Sequence, residues 1–287
     1  MAMLGFLKSA GRVARVRNSS PFLWHSLRQV AAPSLLRMMS ALASQNDVIF
    51  RQLFDRETCT YTYLLADAKT KEAVLIDPVI DLAERDAKLV EELGLELKYV
   101  MNTHVHADHI TGTGLLKKLV PGCQSVIAEV SGAVADKLIN HGETVKFGDH
   151  ELEVRSTPGH TNGCISYVSH NLKSVFTGDA LLIRGCGRTD FQEGSAESLY
   201  ESVHSQILSL PEDYIVYPAH DYKGNTSSSV GEEKQFNPRL TKPKEEFIEI
   251  MNNLGLPYPK KIDISLPPNK VCGLYNLPDE LAAKLEN

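Results

Sequence analysis

Acidic residues are absent from the first 46 positions of the 287-residue chain, and all 36 of them lie further on. The same leader is rich in serine and carries six basic residues: Lys8, Arg12, Arg15, Arg17, Arg28 and Arg37. This composition is typical of an organellar transit peptide, and arginines spaced along an amphipathic helix favour the mitochondrion over the chloroplast. A disordered basic tail is the alternative. We therefore predict a transit peptide or disordered leader over residues 1–46 and a location in the mitochondrial matrix.

Long hydrophobic runs and paired cysteines are also missing. No apolar run reaches the length that spans a bilayer, which argues against a transmembrane protein. The five cysteines are an odd number with no C-x-x-C pair, so a disulfide framework or structural zinc knot is not expected. The formal charge of −6, with every acid outside the basic leader, makes the body a poor match for nucleic-acid phosphates.

The sequence from residue 47 onward alternates short β-type runs with helical segments. The hydrophobic content of 43% for the whole chain and the lack of a low-complexity linker predict one large domain over residues 47–287 with a short C-terminal extension. Asp81 and Glu84 resemble a capping box at the start of the first helix, and Gly94 is a candidate C-cap. Mixed strands and helices in this order indicate an α/β fold with two sheets sandwiched between helices.

Histidine and carboxylate side chains are concentrated just after a predicted strand that ends at Thr103. The six residues from His104 to His109 contain three imidazoles and a carboxylate, namely His104, His106, Asp108 and His109. These ligand types suit zinc, iron or manganese better than calcium or magnesium. A solvated loop that is histidine-rich by chance is the alternative, but the density of ligands favours a metal site.

Three further loops place the same residue types after strand ends. They contain Gly159-His160, Gly178-Asp179 and Ala219-His220. Taken singly, each would be read as an ordinary turn. Together, H-x-H-x-D-H followed by G-H, G-D and A-H resembles the ligand pattern of the metallo-β-lactamase superfamily, from about Val48 to Leu240. The resemblance implies an αββα sandwich, and it specifies the fold more strongly than the reaction.

Residues between the ligands favour one branch of that superfamily. The segments 103–112, 179–191 and 218–222 resemble the mitochondrial persulfide dioxygenases, also called sulfur dioxygenases or the ethylmalonic encephalopathy protein family, a glyoxalase II-like branch. Glyoxalase II shares the four ligand loops but has a longer helical C-terminal region that holds glutathione. Here a short tail with proline and lysine follows Leu240, so we expect the dioxygenase branch.

The number of metals is left open by the ligands alone. Seven candidates could hold two metals bridged by Asp179, as in a hydroxyacylglutathione thioester hydrolase with two zinc or iron ions. The resemblance implies one Fe(II) per subunit held by the catalytic residues His104, His160 and Asp179, a facial triad that leaves positions open for substrate and dioxygen. The remaining four candidates would then support the site or hold a second metal: His106, Asp108, His109 and His220. Asp77, which follows its strand, is a further candidate to support the site.

The resemblance also implies the substrates, glutathione persulfide and dioxygen, and the products, sulfite and glutathione. Arg184 and Arg188 lie near the ligand loops and are candidates to bind the carboxylates of glutathione. Tyr222 matches a position at which glyoxalase II presents a tyrosine to glutathione. We expect an αββα unit that is able to pair as a homodimer. An inactive, partner-binding member of the superfamily is disfavoured because every ligand position is filled.

Overall fold

The computed structural model describes residues 47–273, so the predicted leader 1–46 and residues 274–287 lie outside the described part. The described chain contains twelve strands and six α-helices. The strands are β1 Val48–Phe54, β2 Tyr61–Asp67, β3 Glu72–Ile76, β4 Glu96–Met101, β5 Gln124–Ala128, β6 Lys137–Ile139, β7 Thr144–Phe147, β8 His150–Ser156, β9 Ile165–Ser169, β10 Ser174–Gly178, β11 Ile215–Pro218 and β12 Ser228–Ser229. The helices are α1 Ala83–Glu92, α2 Thr113–Leu119, α3 Ala196–Ser202, α4 Val230–Phe236, α5 Lys244–Asn252 and α6 Ile262–Asn269.

The strands form two six-stranded sheets whose facing sides make the central core. One sheet has the order β1-β2-β3-β4-β5-β6, and the other has the order β12-β11-β10-β9-β8-β7. Large apolar side chains from both sheets meet between them, among them Tyr63, Met101, Phe147, Tyr167 and Phe176, and all five are almost fully buried. Burial of this apolar area is the main force that holds the sheets face to face.

Helices cover the outer face of each sheet and complete the four layers. Val90 of α1 and Leu116 of α2 pack on the outer side of the first sheet. Leu199 of α3 and Phe247 of α5 pack on the outer side of the second. The predicted αββα sandwich is therefore confirmed.

The predicted start of α1 was wrong, whereas its predicted end agrees with the structure. Asp81 lies in a short 3-10 turn, Ile80–Leu82, and no side chain caps the helix at Leu82. The reason is that this turn already carries the chain into the helix and replaces a side-chain cap. Gly94 follows the helix at φ +61°, a left-handed conformation that glycine adopts readily.

The segment after Leu240 is more structured than the short tail expected from the sequence. It contains α5 and α6, and α6 includes Pro267 and Pro268 near its end. These two prolines lack the backbone N–H that a helix interior uses, which hides the helix from sequence-based prediction. Within residues 47–273, no helix has the length and apolarity needed to cross a membrane.

Candidate metal centre

The predicted ligand loops come together at one edge of the sandwich. The loop after β4 carries His104, the loop after β8 carries His160, Asp179 directly follows β10, and His220 follows β11 by one intervening residue. β10 and β11 run parallel, so their carboxyl ends meet at the same edge of the sheet. The fold thus gathers residues that are more than a hundred positions apart in the chain.

Two groups of side chains at this edge are arranged to hold a metal. His104, His160 and Asp179 form the triad, and His106, Asp108, His109 and His220 form the four-residue cluster. Within each group, one potential ligand atom of every residue lies within 4.8 Å of the others. All seven ligands predicted from the sequence are therefore brought into these two groups.

The hydrogen bonds of the triad point outward and leave its ligand atoms for another partner. His160 Nδ1 lies 2.6 Å from the Arg188 carbonyl oxygen, which only accepts, so Nδ1 carries the proton and Nε2 keeps its lone pair. Nε2 of His160 lies 3.6 Å from Asp179 Oδ2, too far for a hydrogen bond but suitable for two ligands of one ion. The buried Oδ1 atom of Asp179 has no hydrogen-bond partner among the described residues.

The four-residue cluster is bound partly to itself. His109 Nδ1 lies 2.9 Å from Asp108 Oδ2, and His220 Nε2 lies 3.6 Å from the same oxygen. His106 Nε2 contacts buried Asp77 at 3.1 Å. One buried ring nitrogen of each histidine nevertheless has no hydrogen-bond partner in the described chain: His106 Nδ1, His109 Nε2 and His220 Nε2. Because buried polar atoms are normally paired, these unpaired nitrogens fit a bound cation.

The electrostatics of the site also suit a cation. Burial, reinforced by neighbouring His106, lowers the pKa of His104 well below its usual value, so the ring stays neutral with a free lone pair. Burial opposes charge on His220 as well, but the carboxylates of Asp108 and Asp179 raise its pKa overall. A metal ion in this site would balance the same carboxylate charge. The residues present therefore fit a divalent metal.

Asp77 and Thr103 support the first ligand. The backbone N–H and the hydroxyl of Thr103 donate to the two oxygens of Asp77, at 2.7 and 2.8 Å. Since that hydroxyl proton is given to Asp77, the Thr103 oxygen accepts from His104 Nδ1 at 3.0 Å. These contacts hold the His104 ring so that Nε2 is free to bind a metal. Asp77 and Thr103 thus act as residues that orient a ligand from behind. Asp77 is placed beside the ligands, as the sequence predicted.

Close backbone approaches around the triad require glycine at two positions. Gly178, at φ +55°, is so near Thr103 that a Cβ atom would lie 2.6 Å from its Oγ1. A Cβ on Gly187 would lie 2.7 Å from His160 Nδ1 and 2.5 Å from the Asp179 carbonyl oxygen. Gly178 and Gly187 therefore allow the ligand loops to pack against each other.

A cavity of about 520 Å³ opens onto the triad. His160, Asp179 and His220 line it, together with the predicted substrate-binding residues Arg184, Arg188 and Tyr222. Its volume lies in the range of small-molecule sites. The Tyr222 ring stacks parallel to His220 at 6.1 Å, with 69% of the tyrosine exposed.

The two predicted arginines already have carboxylate partners. Arg184 is paired with Glu233 at 2.6 Å and with Glu232, and Arg188 is bound to Asp190 at 2.6 and 2.7 Å. Their charge is thus largely balanced within the chain. The structure brings both side chains to the cavity without leaving either as a free cation.

Similarity to known proteins agrees with this geometry. Residues 59–220 match the Metallo-beta-lactamase superfamily. The protein named mitochondrial persulfide dioxygenase ETHE1 of Mus musculus is 56% identical over 242 residues, which cover 84% of this chain and 95% of the mouse protein. The chain belongs to the persulfide dioxygenase family. The crystal structure of ETHE1 from Myxococcus xanthus, 52% identical, matches this member of the family with a TM-score of 0.76, covering 78% of this chain and 99% of the bacterial one.

The relatives of this chain that are named as hydrolases are more distant. A probable hydroxyacylglutathione hydrolase of Schizosaccharomyces pombe is 31% identical over 239 residues, covering 70% of this chain and 89% of that protein. The predicted choice of branch is therefore confirmed.

Three residues of this family member were missed by the sequence analysis. Arg239 lines the cavity, and its partners within residues 47–273 are the carbonyl oxygen and Sγ of Cys186 and Sδ of Met251, none of which is an anion. Gln192 and Asn269 hydrogen-bond to the loop that carries His104. Gln192 directly follows the segment 179–191, and Arg239 and Asn269 lie beyond the last ligand motif, but no local pattern marks any of the three.

Proposed function

We propose that the protein is an iron-dependent persulfide dioxygenase that converts glutathione persulfide to sulfite and glutathione. The observation that carries the proposal is the triad His104, His160 and Asp179, two members of which, His160 and Asp179, line a cavity of about 520 Å³, in a chain of the persulfide dioxygenase family. Two imidazoles and one carboxylate are the ligand set of non-haem Fe(II) sites that keep positions open for substrate and dioxygen.

The reaction balances with water as a third reactant. Glutathione persulfide, dioxygen and water give glutathione, sulfite and two protons. The outer sulfur loses four electrons and dioxygen takes up four, while the bond between the two sulfur atoms breaks. A ferrous ion supplies the redox chemistry that brings the sulfur and dioxygen together.

The chain's own residues orient the ligands and bind the substrate. Thr103 and the Arg188 carbonyl fix His104 and His160 with their Nε2 atoms free. Arg239 lacks an anionic partner in the described chain, and we assign it to a carboxylate of the substrate. Arg188 lines the same cavity as a further contact, although Asp190 balances most of its charge. Partial desolvation at the cavity mouth, together with the nearby carboxylates of Asp179 and Asp108, raises the pKa of Tyr222, so its phenol stays protonated and able to donate a hydrogen bond. Arg184 contributes positive charge to the same wall, although Glu232 and Glu233 balance most of it.

A dinuclear thioester hydrolase is the second candidate function. It is favoured by the four-residue cluster, whose three unpaired ring nitrogens could hold another metal. The 31% identity to a probable hydroxyacylglutathione hydrolase is lower than the 56% identity to a persulfide dioxygenase, so the oxygenase is the primary proposal.

The experiment that separates them measures two reactions on one iron-loaded sample. We expect oxygen uptake on addition of glutathione persulfide, matched mole for mole by sulfite, with negligible cleavage of a hydroxyacylglutathione. Brisk thioester cleavage without oxygen uptake would replace the oxygenase with the hydrolase. A zinc-loaded sample is the control and should take up no oxygen.

Location and assembly belong to the same proposal. The basic leader of residues 1–46 supports import into the mitochondrial matrix, and the mouse relative carries the word mitochondrial in its name. Import of the full chain into isolated mitochondria, compared with a chain that starts at Asp47, tests this. A homodimer in solution is tested by sedimentation.

A further inference from the structure

The side chain of Asn269 connects the C-terminal helix α6 to the metal-ligand loop. Asn269 is the last residue of α6 and is only 2% exposed. Its Nδ2 donates to the carbonyl oxygens of His106 and His109, both at 2.8 Å. Its Oδ1 accepts the backbone N–H of Thr111 at 2.9 Å. One carboxamide therefore binds the backbone on both sides of Asp108.

Asparagine suits this position better than its isosteres. Two of its contacts are carbonyl oxygens, which only accept, and the third is an N–H group, which only donates. Both N–H bonds of the amide are used, and the orientation of the amide is fixed. An aspartate would set a carboxylate against two carbonyl oxygens. An alanine would leave all three buried backbone groups without their partner.

The surrounding contacts hold α6 close to the loop. A Cβ atom on Gly273 would lie 2.7 Å from the Thr111 carbonyl oxygen, so the chain passes directly over that residue. The Lys270 carbonyl oxygen accepts from Val134 N at 2.7 Å. A second amide contacts the loop from another segment, because Gln192 Nε2 donates to the Val105 carbonyl oxygen at 2.7 Å. The loop is thus fixed by distant side chains at residues 105, 106, 109 and 111.

We propose that Asn269 is a positioning residue of the metal centre, and that α6 is therefore a part of that centre. Asn269 contacts no ligand side chain in this role. It holds the backbone from which His106, Asp108 and His109 extend and which continues directly from His104. The proposal deepens the proposed function because it concerns the same site, but it requires only that the loop binds a metal.

Removal of the three Asn269 hydrogen bonds should weaken metal binding by more than the accompanying loss of stability explains. Residues that orient metal ligands from behind typically contribute about 10- to 100-fold to metal affinity. We expect Asn269→Asp and Asn269→Ala to raise the Co(II) dissociation constant within that range and to change the visible absorption of bound Co(II), which reports ligand geometry. Co(II) serves as the probe because its spectrum can be read without any enzymatic turnover.

A matched control is offered by Asn237, which is also buried and fully hydrogen-bonded. Its Nδ2 donates to Gly185 O and Glu233 Oε2, and its Oδ1 accepts from the backbone of Arg239 and Leu240. Asn237→Ala should lower the melting temperature of the metal-free protein as Asn269→Ala does, but leave Co(II) affinity and absorption unchanged. Equal Co(II) affinity in wild type and both Asn269 variants, at a similar loss of melting temperature, would reduce Asn269 to a structural role.

A measurement on the wild-type protein covers the case in which the variants fail to fold. If Asn269 organises the loop, the Thr111 amide should exchange slowly with deuterium even in the metal-free protein. Fast exchange without metal would contradict the proposal, because the metal rather than Asn269 would then order the loop. These results are independent of the reaction. Absence of dioxygenase activity with the Co(II) effects intact would remove the proposed function and leave this inference standing.

Discussion

The triad and the four-residue cluster contain the same kinds of ligand but differ in how their side chains are bound. In the triad, the contact between His160 and Asp179 is 3.6 Å, and the hydrogen bonds of the histidines run to Thr103 and to the Arg188 carbonyl. In the cluster, Asp108 is hydrogen-bonded to His109 at 2.9 Å. The triad side chains are therefore not hydrogen-bonded to one another, whereas in the cluster the Asp108 carboxylate is already hydrogen-bonded to a histidine of the same group.

Access to the cavity does not separate the two groups, because two residues of each group line it. His160 and Asp179 of the triad line the cavity, with 12% and 13% of their side chains exposed, as do Asp108 and His220 of the cluster, whereas His104, His106 and His109 are buried behind it. A substrate in the cavity can therefore reach an ion held between His160 and Asp179. The comparison teaches that ligand type alone does not distinguish the two groups, because their hydrogen bonding differs although their composition is alike.

The largest effect is expected from substitutions in the triad. His160→Ala and Asp179→Ala each remove a ligand, so we expect loss of bound iron and a fall in persulfide oxidation of roughly 1,000-fold or more, since a metal centre contributes several kcal/mol to catalysis. Metal analysis and oxygen uptake measure both. His170→Ala, which alters a half-exposed histidine paired with Glu153, is the control and should retain iron. Iron retention in the triad variants would contradict the assignment.

A smaller effect is expected from the cluster. His109→Ala and His220→Ala remove groups that orient the centre, so we expect about a 10- to 100-fold loss of activity with one iron per chain retained. Metal content is measured beside the rate. If either variant fell from two metals to one and lost as much activity as Asp179→Ala, the distinction between the two groups would not hold.

The cavity that opens onto the triad gives a third prediction. Arg239→Gln should raise KM for glutathione persulfide roughly 10-fold, because a hydrogen bond to a charged group contributes about 1.5 to 3 kcal/mol. The kcat value should change little. Arg184→Gln is the contrast, since its partners Glu232 and Glu233 lie within the chain. We expect Arg184→Gln to lower the melting temperature and to change KM little. If instead Arg184→Gln raised KM and Arg239→Gln did not, the roles of the two arginines would be exchanged.

The smallest effect is expected at Thr103, which links Asp77 to His104. Thr103→Val keeps the volume but removes a hydroxyl that is bonded to both residues. Only the bond to His104 Nδ1 acts on a triad residue directly, so we expect a loss of several-fold in kcat, consistent with about 1 kcal/mol for one hydrogen bond. Thr103→Ser should restore the rate. Failure of serine to restore it would point to packing of the methyl group rather than to hydrogen bonding.

The sequence indicated which candidate ligands the structure brings together, because each one follows a strand end. His104, His160, Asp179 and His220 stand beside local signals, namely apolar strands and turn residues, and parallel strand ends meet at one edge. The family assignment and the αββα fold, both confirmed, depend on the same motifs. Local sequence signals therefore indicated where most of the candidate ligands lie.

The remaining parts of the site depend on contacts that no local pattern encodes. Asn269 reaches His106 across 163 positions, and α6 contains Pro267 and Pro268, which are poor helix formers. Arg239 differs from Arg184 only in its neighbours, since α4 supplies Glu232 and Glu233 to one and none to the other. Charge pairing in three dimensions decides which arginine remains available.

An anaerobic titration of metal-free protein with Fe(II) tests the central claim most directly. Oxygen uptake with glutathione persulfide is measured at each step, with Asp179→Ala and His220→Ala titrated in parallel. The account predicts that wild-type activity rises linearly and stops at one iron per chain, that His220→Ala stops at the same ratio with a lower rate, and that Asp179→Ala gains none. A wild-type plateau only at two irons per chain would contradict the claim that the triad alone holds the catalytic metal.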